Sequence, residues 1–439
     1  MKIPQPPPPG RLSPDKFANY LGSEPLRKLI TRANEEYLYW DKLKYKPMPE
    51  GLPPEEVWHY LKLVRGTQRR ATLIRDSHNH YFTYWLPDAA QRHLHTIDMQ
   101  AAGRIGADQS ILSSASRDRY LVSSLMEEAI ASSQIEGAAT TRAVAKEMLR
   151  TGRKPQNRAE RMIVNNYLTI MKLRNITSQL LTPDVLNNLH ISMTEGTLQN
   201  PEDAGRYRRD EDQIVVQDQG VTLHIPPSAN LIPRELDRLC KFANEDKDDH
   251  FMHPVVKGIL LHFWIGCLHP YVDGNGRTAR ALFYWYMLSR GYWLFEFLSI
   301  SQEILKGRAK YDKAFLYSEI DDLDATYFVM FNLDTVVKSL NRLHEYLERK
   351  QREASEMGVI LSEITGLNYR QQAVLRKAIQ NSDAQFTIAS HMNSHNIAYA
   401  TSRSDLFDLV ERGLLTREKI GRKILFFVPN DLGKRLSKS

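Results

Sequence analysis

Only two cysteines, Cys240 and Cys267, occur in 439 residues. They form no short-spaced pair and sit among apolar neighbours, which excludes a disulfide framework or thiolate metal site and leaves two buried free thiols. Long apolar runs are missing as well. No uncharged stretch approaches the roughly 18 residues that a membrane span requires. The opening Met1-Lys-Ile-Pro-Gln-Pro-Pro-Pro-Pro-Gly10 has no apolar segment of the kind a secretory leader carries and reads as an extended arm. A cytoplasmic protein with no membrane segment is the expectation. His78, His80, His93 and His95 lack both thiol partners and a helical His pair, so they are not read as a metal site.

What remains is ordinary in bulk and uneven in detail. Hydrophobic residues make up 42% and charged residues 25%, as in a globular protein of about two to four domains. The net charge of +7 comes from 59 basic and 52 acidic residues. Between Asn368 and Ser439 twelve Lys/Arg face six Asp/Glu, so most of the surplus lies in the last seventy-odd residues.

The densest chemistry is His269-Pro-Tyr-Val-Asp273-Gly-Asn275-Gly-Arg277-Thr-Ala-Arg280. An apolar segment, Val255 to Leu268, predicts a buried helix before it, and a second helix begins near Arg277 and runs to Arg290. Gly274 and Gly276 allow consecutive amides to converge, and a glycine turn feeding a helix start is a ready anion site. Arg277 and Arg280 share one face of that helix and can reach one polyphosphate. His269 can accept a proton near neutral pH. Asp273 offers the hard oxygen that Mg²⁺ prefers, usually shared with phosphate and water. The spacing Gly274-x-Gly276-x-x-Ala279, with Glu296 further on, also suits a dinucleotide fingerprint, but the helical segment before it leaves no βαβ unit.

The stretch resembles the signature of the Fic family, His-x-Phe-x-Asp/Glu-Gly-Asn-Gly-Arg-x-x-Arg, with Tyr271 in place of Phe. The resemblance implies transfer of AMP from ATP to a hydroxyl side chain of a target protein or of the chain itself. It casts His269 as the base and Asp273 as the Mg²⁺ ligand. Gly274, Asn275, Gly276, Arg277 and Arg280 become the nucleotide cradle. Upstream, Arg117 to Ile135 predicts a helix, with Leu121, Leu125, Ala129 and Ser132 on one face. Its end, Ser132-Ser-Gln-Ile-Glu136-Gly137, resembles the family's inhibitory motif, in which Glu136 would pair with Arg280 in place of the γ-phosphate. Ser132 and Gly137 complete that motif.

The remaining segments fit around this core. The region 1–114 is expected to be mostly helical, with a hairpin around Asp76-Ser-His-Asn79. Arg158 to Arg174, Pro183 to Thr194 and Leu231 to Asn244 predict amphipathic helices. Two β-type runs within 213–225, Ile214, Val215 and Val216 against Leu223, His224 and Ile225, predict a hairpin. It resembles the family's flap, whose edge would receive a target segment as an added strand. Tyr311 to Tyr317 and Val336 to Glu353 complete the bundle of 115–350. From 368 to 439 the order helix, strand, helix, helix, two-stranded hairpin resembles a winged helix-turn-helix domain. Arg403 would stand at its recognition helix and Arg422 and Lys423 on its wing, and Asp405 and Asp408 weigh toward protein contact rather than DNA.

The fold class expected is therefore mainly α, a Fic-type helical bundle with a small hairpin flap and a C-terminal winged helix. The function expected is an autoinhibited protein adenylyltransferase using ATP and Mg²⁺, acting on a target protein. A homodimer and DNA contact through the C-terminal residues stay open. A DNA-binding regulator with a nucleotide-sensing Fic domain, and the reverse reaction that removes AMP, are the alternatives.

Overall fold

The computed structural model describes residues 4–8, 10, 13–49, 51–101, 114–218, 221–245, 251–363, 366–380, 383–420 and 423–436. Helices dominate, and the strands form three small antiparallel sheets. Two compact units are present: Met1–Gly106 with Arg119–Leu343, and Ala107–Asp118 with His344–Ser439.

In the first unit the helix Pro254–Leu268 is apolar on every side, so it can only lie in a core, and nearly all its residues are buried. The helix Asn275–Ser289 follows after a tight turn and packs back against it. Arg158–Leu173 and Pro183–Thr194 flank this pair. Side-chain caps from Asn157 and Thr182 start them, each accepting a backbone N–H two or three residues inside the helix. The helix Arg308–Ile320 and the long helix Thr326–Glu363 extend well beyond the runs 311–317 and 336–353 suggested by local pattern. Tertiary burial of Phe328, Val329 and Leu333 carries the long helix upstream of Val336.

The N-terminal residues build their own aromatic core, with Tyr39, Trp40, Trp58 and Tyr60 around Leu26 and Leu61. Tyr327 of the long helix belongs to the same cluster. The expected hairpin there is Arg70–Arg75 against Tyr81–Tyr84. The helices Asp88–Ala101 and Arg142–Thr151 had no clear expectation in the sequence.

The second unit holds the elements expected after 368 in the expected order: Tyr369–Gln380, Gln385–Phe386, Ile388–His395, Tyr399–Glu411, Thr416–Ile420 and Lys423–Phe427. The last strand is central, pairing with both others. Leu375, Leu406, Leu409 and Phe426 form its core. Asp405 faces inward, contrary to the surface position that would set it against DNA, whereas Asp408 stays at the surface with its side chain 36% exposed. Asp405 is buried and takes bonds from Arg370, His391 and Asn368, and Asp408 accepts from Gln371 and Arg412. Arg403 is exposed beside the Phe407 ring. Arg422 lies outside the described residues, as does the side chain of Lys423.

Candidate active site

The turn between the two central helices is fixed from several sides. His269 ends the first helix with φ +48, a left-handed conformation uncommon outside glycine. Arg208 holds it there. This buried guanidinium donates to the carbonyl oxygens of His269 at 2.8 Å and Leu268 at 3.2 Å, and also to that of Pro227. No local pattern in the sequence assigns Arg208 a role. Tyr271 is fully buried, as the aromatic position requires. It stacks on His190 at 3.7 Å between ring centroids and donates its hydroxyl proton to Asn187. His190 in turn donates from Nε2 to the Asp273 carbonyl and accepts the Gly205 N–H at Nδ1. Those contacts fix a neutral ring, consistent with burial pulling its pKa down to about 4.

Gly274 has φ +88, and a Cβ there would press on Thr194 and His190. The helix begins at Asn275, two residues before Arg277, because its first turn is capped by this glycine. Asn275 has a different task from the phosphate contact expected of its side chain. Both its polar ends are spent on the Tyr271 peptide, accepting the N–H at 2.9 Å and donating to the oxygen at 2.8 Å. The side chain closes the turn, and only its backbone N–H is placed as a helix-start donor.

Beyond the turn, Arg277 and Arg280 are buried and incompletely used. Arg277 donates from Nη1 to Met193 at 2.9 Å, while its Nε and Nη2 have no hydrogen-bond partner. Arg280 donates from Nε to Ser132 Oγ and from Nη2 to Ser132 O and Glu136 Oε1, all at 2.9 Å. Its Nη1 is without a partner. Buried guanidinium nitrogens left open are costly unless an anion completes them. A Cβ on Gly276 would overlap Glu136 Oε1, so the carboxylate lies directly against the glycine amide face. Burial would raise the Glu136 pKa, but the charges of Arg280, Arg277 and Arg308 outweigh it and hold the group below its ordinary value. Arg308 also donates to the Ile135 carbonyl at the end of the helix Ser114–Ile135, just before Glu136 and Gly137.

A cavity of about 150 Å³ opens here, lined by Glu136, His269, Gly276, Arg308, Tyr311 and Glu319 among others. His269 Nδ1 lies 3.3 Å from the Gly266 oxygen, which places the neutral ring's proton on Nδ1 and leaves the Nε2 lone pair free. Burial first, and the charge of His224 second, pull its pKa down to about 4. Asp273, in the turn between the two helices, is 44% exposed, with Oδ1 on the Gly274 N–H and Oδ2 3.0 Å from Arg158. Among the described residues no three His, Cys, Asp or Glu cluster as a metal cage. A single accessible carboxylate nonetheless fits a cation whose other ligands are phosphate and water.

The hairpin is smaller than 213–225. Val216–Asp218 pairs with Val221–His224, and Val216, Leu223 and His224 line the cavity. Ile214 and Val215 precede the strand, because Gln213 takes a left-handed turn with φ +50 after the short helix Asp210–Asp212. Ile225 is exposed past the strand end, where Pro226 and Pro227 have no N–H to pair.

Residues 180–287 match the model of the Fic/DOC family. The chain carries a Fic domain. Over 86 residues it is 37% identical to the protein adenylyltransferase Fic of Nematostella vectensis, covering 19% of this chain and 18% of that protein. Over 93 residues it is 32% identical to the protein of the same name from Drosophila melanogaster, covering 21% and 17%. The chain thus spans less than a fifth of the length of these relatives. In structure it is similar to Fic-1 (residues 134–508) from C. elegans, with a TM-score of 0.51 and 16% identity over 77% of this chain and 90% of that one. The Fic domain contains the hairpin, Arg208, His269 and both arginines. The helix bearing Ser132, and Glu136 just past its end, lie outside the matched residues.

Proposed function

We propose that the chain is a protein adenylyltransferase moving AMP from ATP to a hydroxyl side chain, of a target protein or of itself, and that Glu136 restrains it. The observation that carries this reading is the set of three open guanidinium nitrogens on Arg277 and Arg280, with Glu136 joining Arg280 to the cleft that holds a neutral His269. A polyphosphate supplies the acceptors those nitrogens lack. The helix starts at Asn275, and Gly276 in its first turn lines the cavity, where helix-start amides favour an anion. Asp273, once Arg158 is displaced, would hold Mg²⁺, which neutralises phosphate charge when bound.

Chemistry then follows from placement. His269 Nε2 takes the hydroxyl proton as the acceptor oxygen attacks the α-phosphorus. The bond from that phosphorus to the bridging oxygen breaks, and pyrophosphate leaves with its electrons. Glu136 fills the place beside Gly276 and Arg280 that a terminal phosphate would use, so nucleotide bound with Glu136 in place is misaligned. The same groups run backwards would remove AMP, which the direction of label transfer distinguishes.

ATP labelled separately at the α and γ positions tests the reading on the wild type and on Glu136→Gly. Label from the α position should join the variant and scarcely join the wild type. Label from γ alone would mean phosphate transfer instead. Equal labelling of both proteins would remove the inhibitory role of Glu136.

For residues 368–439 a winged-helix reading with nucleic-acid contact is favoured by one observation. Asp405, one of the two acidic side chains of the helix Tyr399–Glu411 that argued against it, is buried and paired with Arg370, and Arg403 is exposed.

A further inference from the structure

His224 closes the returning strand of the hairpin, and its ring is held at both nitrogens. Nδ1 lies 2.6 Å from Glu319 Oε1, and Nε2 lies 2.7 Å from the Cys267 carbonyl oxygen. Both partners only accept. A neutral imidazole has one N–H, so both contacts are hydrogen bonds only when the ring is an imidazolium. Glu319 belongs to the helix Arg308–Ile320, and Cys267 lies two residues before His269. The hairpin has strands of three and four residues, and a ribbon that short is marginal without a tertiary anchor.

We propose that His224, as an imidazolium bridging Glu319 and the Cys267 carbonyl, is a positioning residue that docks the hairpin onto the helix end carrying His269. The acceptor segment is thereby placed at a fixed distance from the base, a role that rests on the transferase reading above. Among the described residues, Arg208, from the segment before the hairpin, and His269 also act on His224, and Glu136, Arg308, Tyr311 and Asp312 line the same cavity. Burial, Arg208 and His269 oppose a charge on the ring, yet Glu319 prevails and the pKa is raised. The clamp is therefore complete at low pH and is lost as pH rises through that raised value. In a deprotonated ring one of the two bonds must go.

Hydrogen exchange at amides 216–218 and 222–224 of the full chain tests this, with Glu136→Gly as the parent. At about pH 6, His224→Ala and Glu319→Gln should each reduce protection on the order of tenfold. The double variant should lose little more than either single one. Corrected for chemical exchange rates, protection in the parent should fall as pH rises above the ordinary histidine range, and Glu319→Gln should abolish that dependence. Self-labelling from α-labelled ATP should drop in kcat with KM for ATP unchanged. Unaltered protection in Glu319→Gln, or a parent with no pH dependence, would overturn the clamp. A loosened hairpin with labelling undiminished would overturn its positioning role. Exchange as expected with no label on the parent would count against the transferase reading and leave the clamp standing.

Discussion

His269 combines two properties that rarely coincide in a surface histidine. Its backbone is held in a left-handed turn by Arg208, and its ring is kept neutral by burial. A neutral ring is a competent base across the neutral range, and protonation begins only as pH falls toward about 4. Because the Glu136 charge raises the His269 pKa and is absent from the variant, the acid limb of kcat/KM for Glu136→Gly should lie at or below that value, well below the ordinary histidine range. An acid limb at about 6.5 would mean that the base is exposed in the working state or is another group. His269→Ala should lower transfer by roughly 10²–10⁴-fold while ATP affinity, measured by calorimetry, changes little. Retention of more than about a tenth of the rate would remove His269 from the reaction.

At the scale of elements, the helix Ser114–Ile135 and the helix Asn275–Ser289 meet through Arg280. Three of its hydrogen bonds go to Ser132 and Glu136. The carboxylate is tethered beside the site, so under the proposed function it would compete with a phosphate at high effective concentration. Glu136→Gly should therefore raise self-modification, by tenfold or more if the pair contributes about 1.4 kcal/mol. Arg280→Ala should be inactive with or without Glu136, because the guanidinium serves both states. An active Arg280→Ala protein would separate the inhibitory contact from phosphate binding.

For the molecule as a whole, the first unit depends on contacts far apart in sequence. Arg65 is fully buried and donates to Asn34, Ala33, Leu38 and the Tyr327 hydroxyl. It also lies over the Tyr37 ring at 3.9 Å. Arg65→Met keeps the stem and strands those acceptors, so the unit should lose about 3 kcal/mol in urea unfolding. A shift under about 0.5 kcal/mol, the range of surface substitutions, would show the network to be dispensable. Residues 368–439 carry the basic excess. If they bind a duplex, affinity should fall steeply with salt as counterions are released. Titration at several salt concentrations checks this, and no binding at low salt would assign them to protein contact.

The sequence alone determined the local chemistry of the site. Glycines that permit the turn, a histidine before it and arginines three apart are close neighbours along the chain, so spacing is enough to bring them together. It also marked the helices with strong apolar periodicity, as at Arg158–Leu173 and Pro183–Thr194. Tertiary structure decided whatever depends on partners distant in the chain. Asn275 turns inward because the Tyr271 peptide is there to be closed, and Arg208 finds three carbonyls that no local pattern announces. Asp405 points into the fold because Arg370 meets it there. The state of His224 was invisible for the same reason. Its charge is set by Glu319, ninety-five positions away, and by a backbone oxygen. A side chain's type can be read from the chain, but its protonation and its bonds belong to whatever the fold packs beside it.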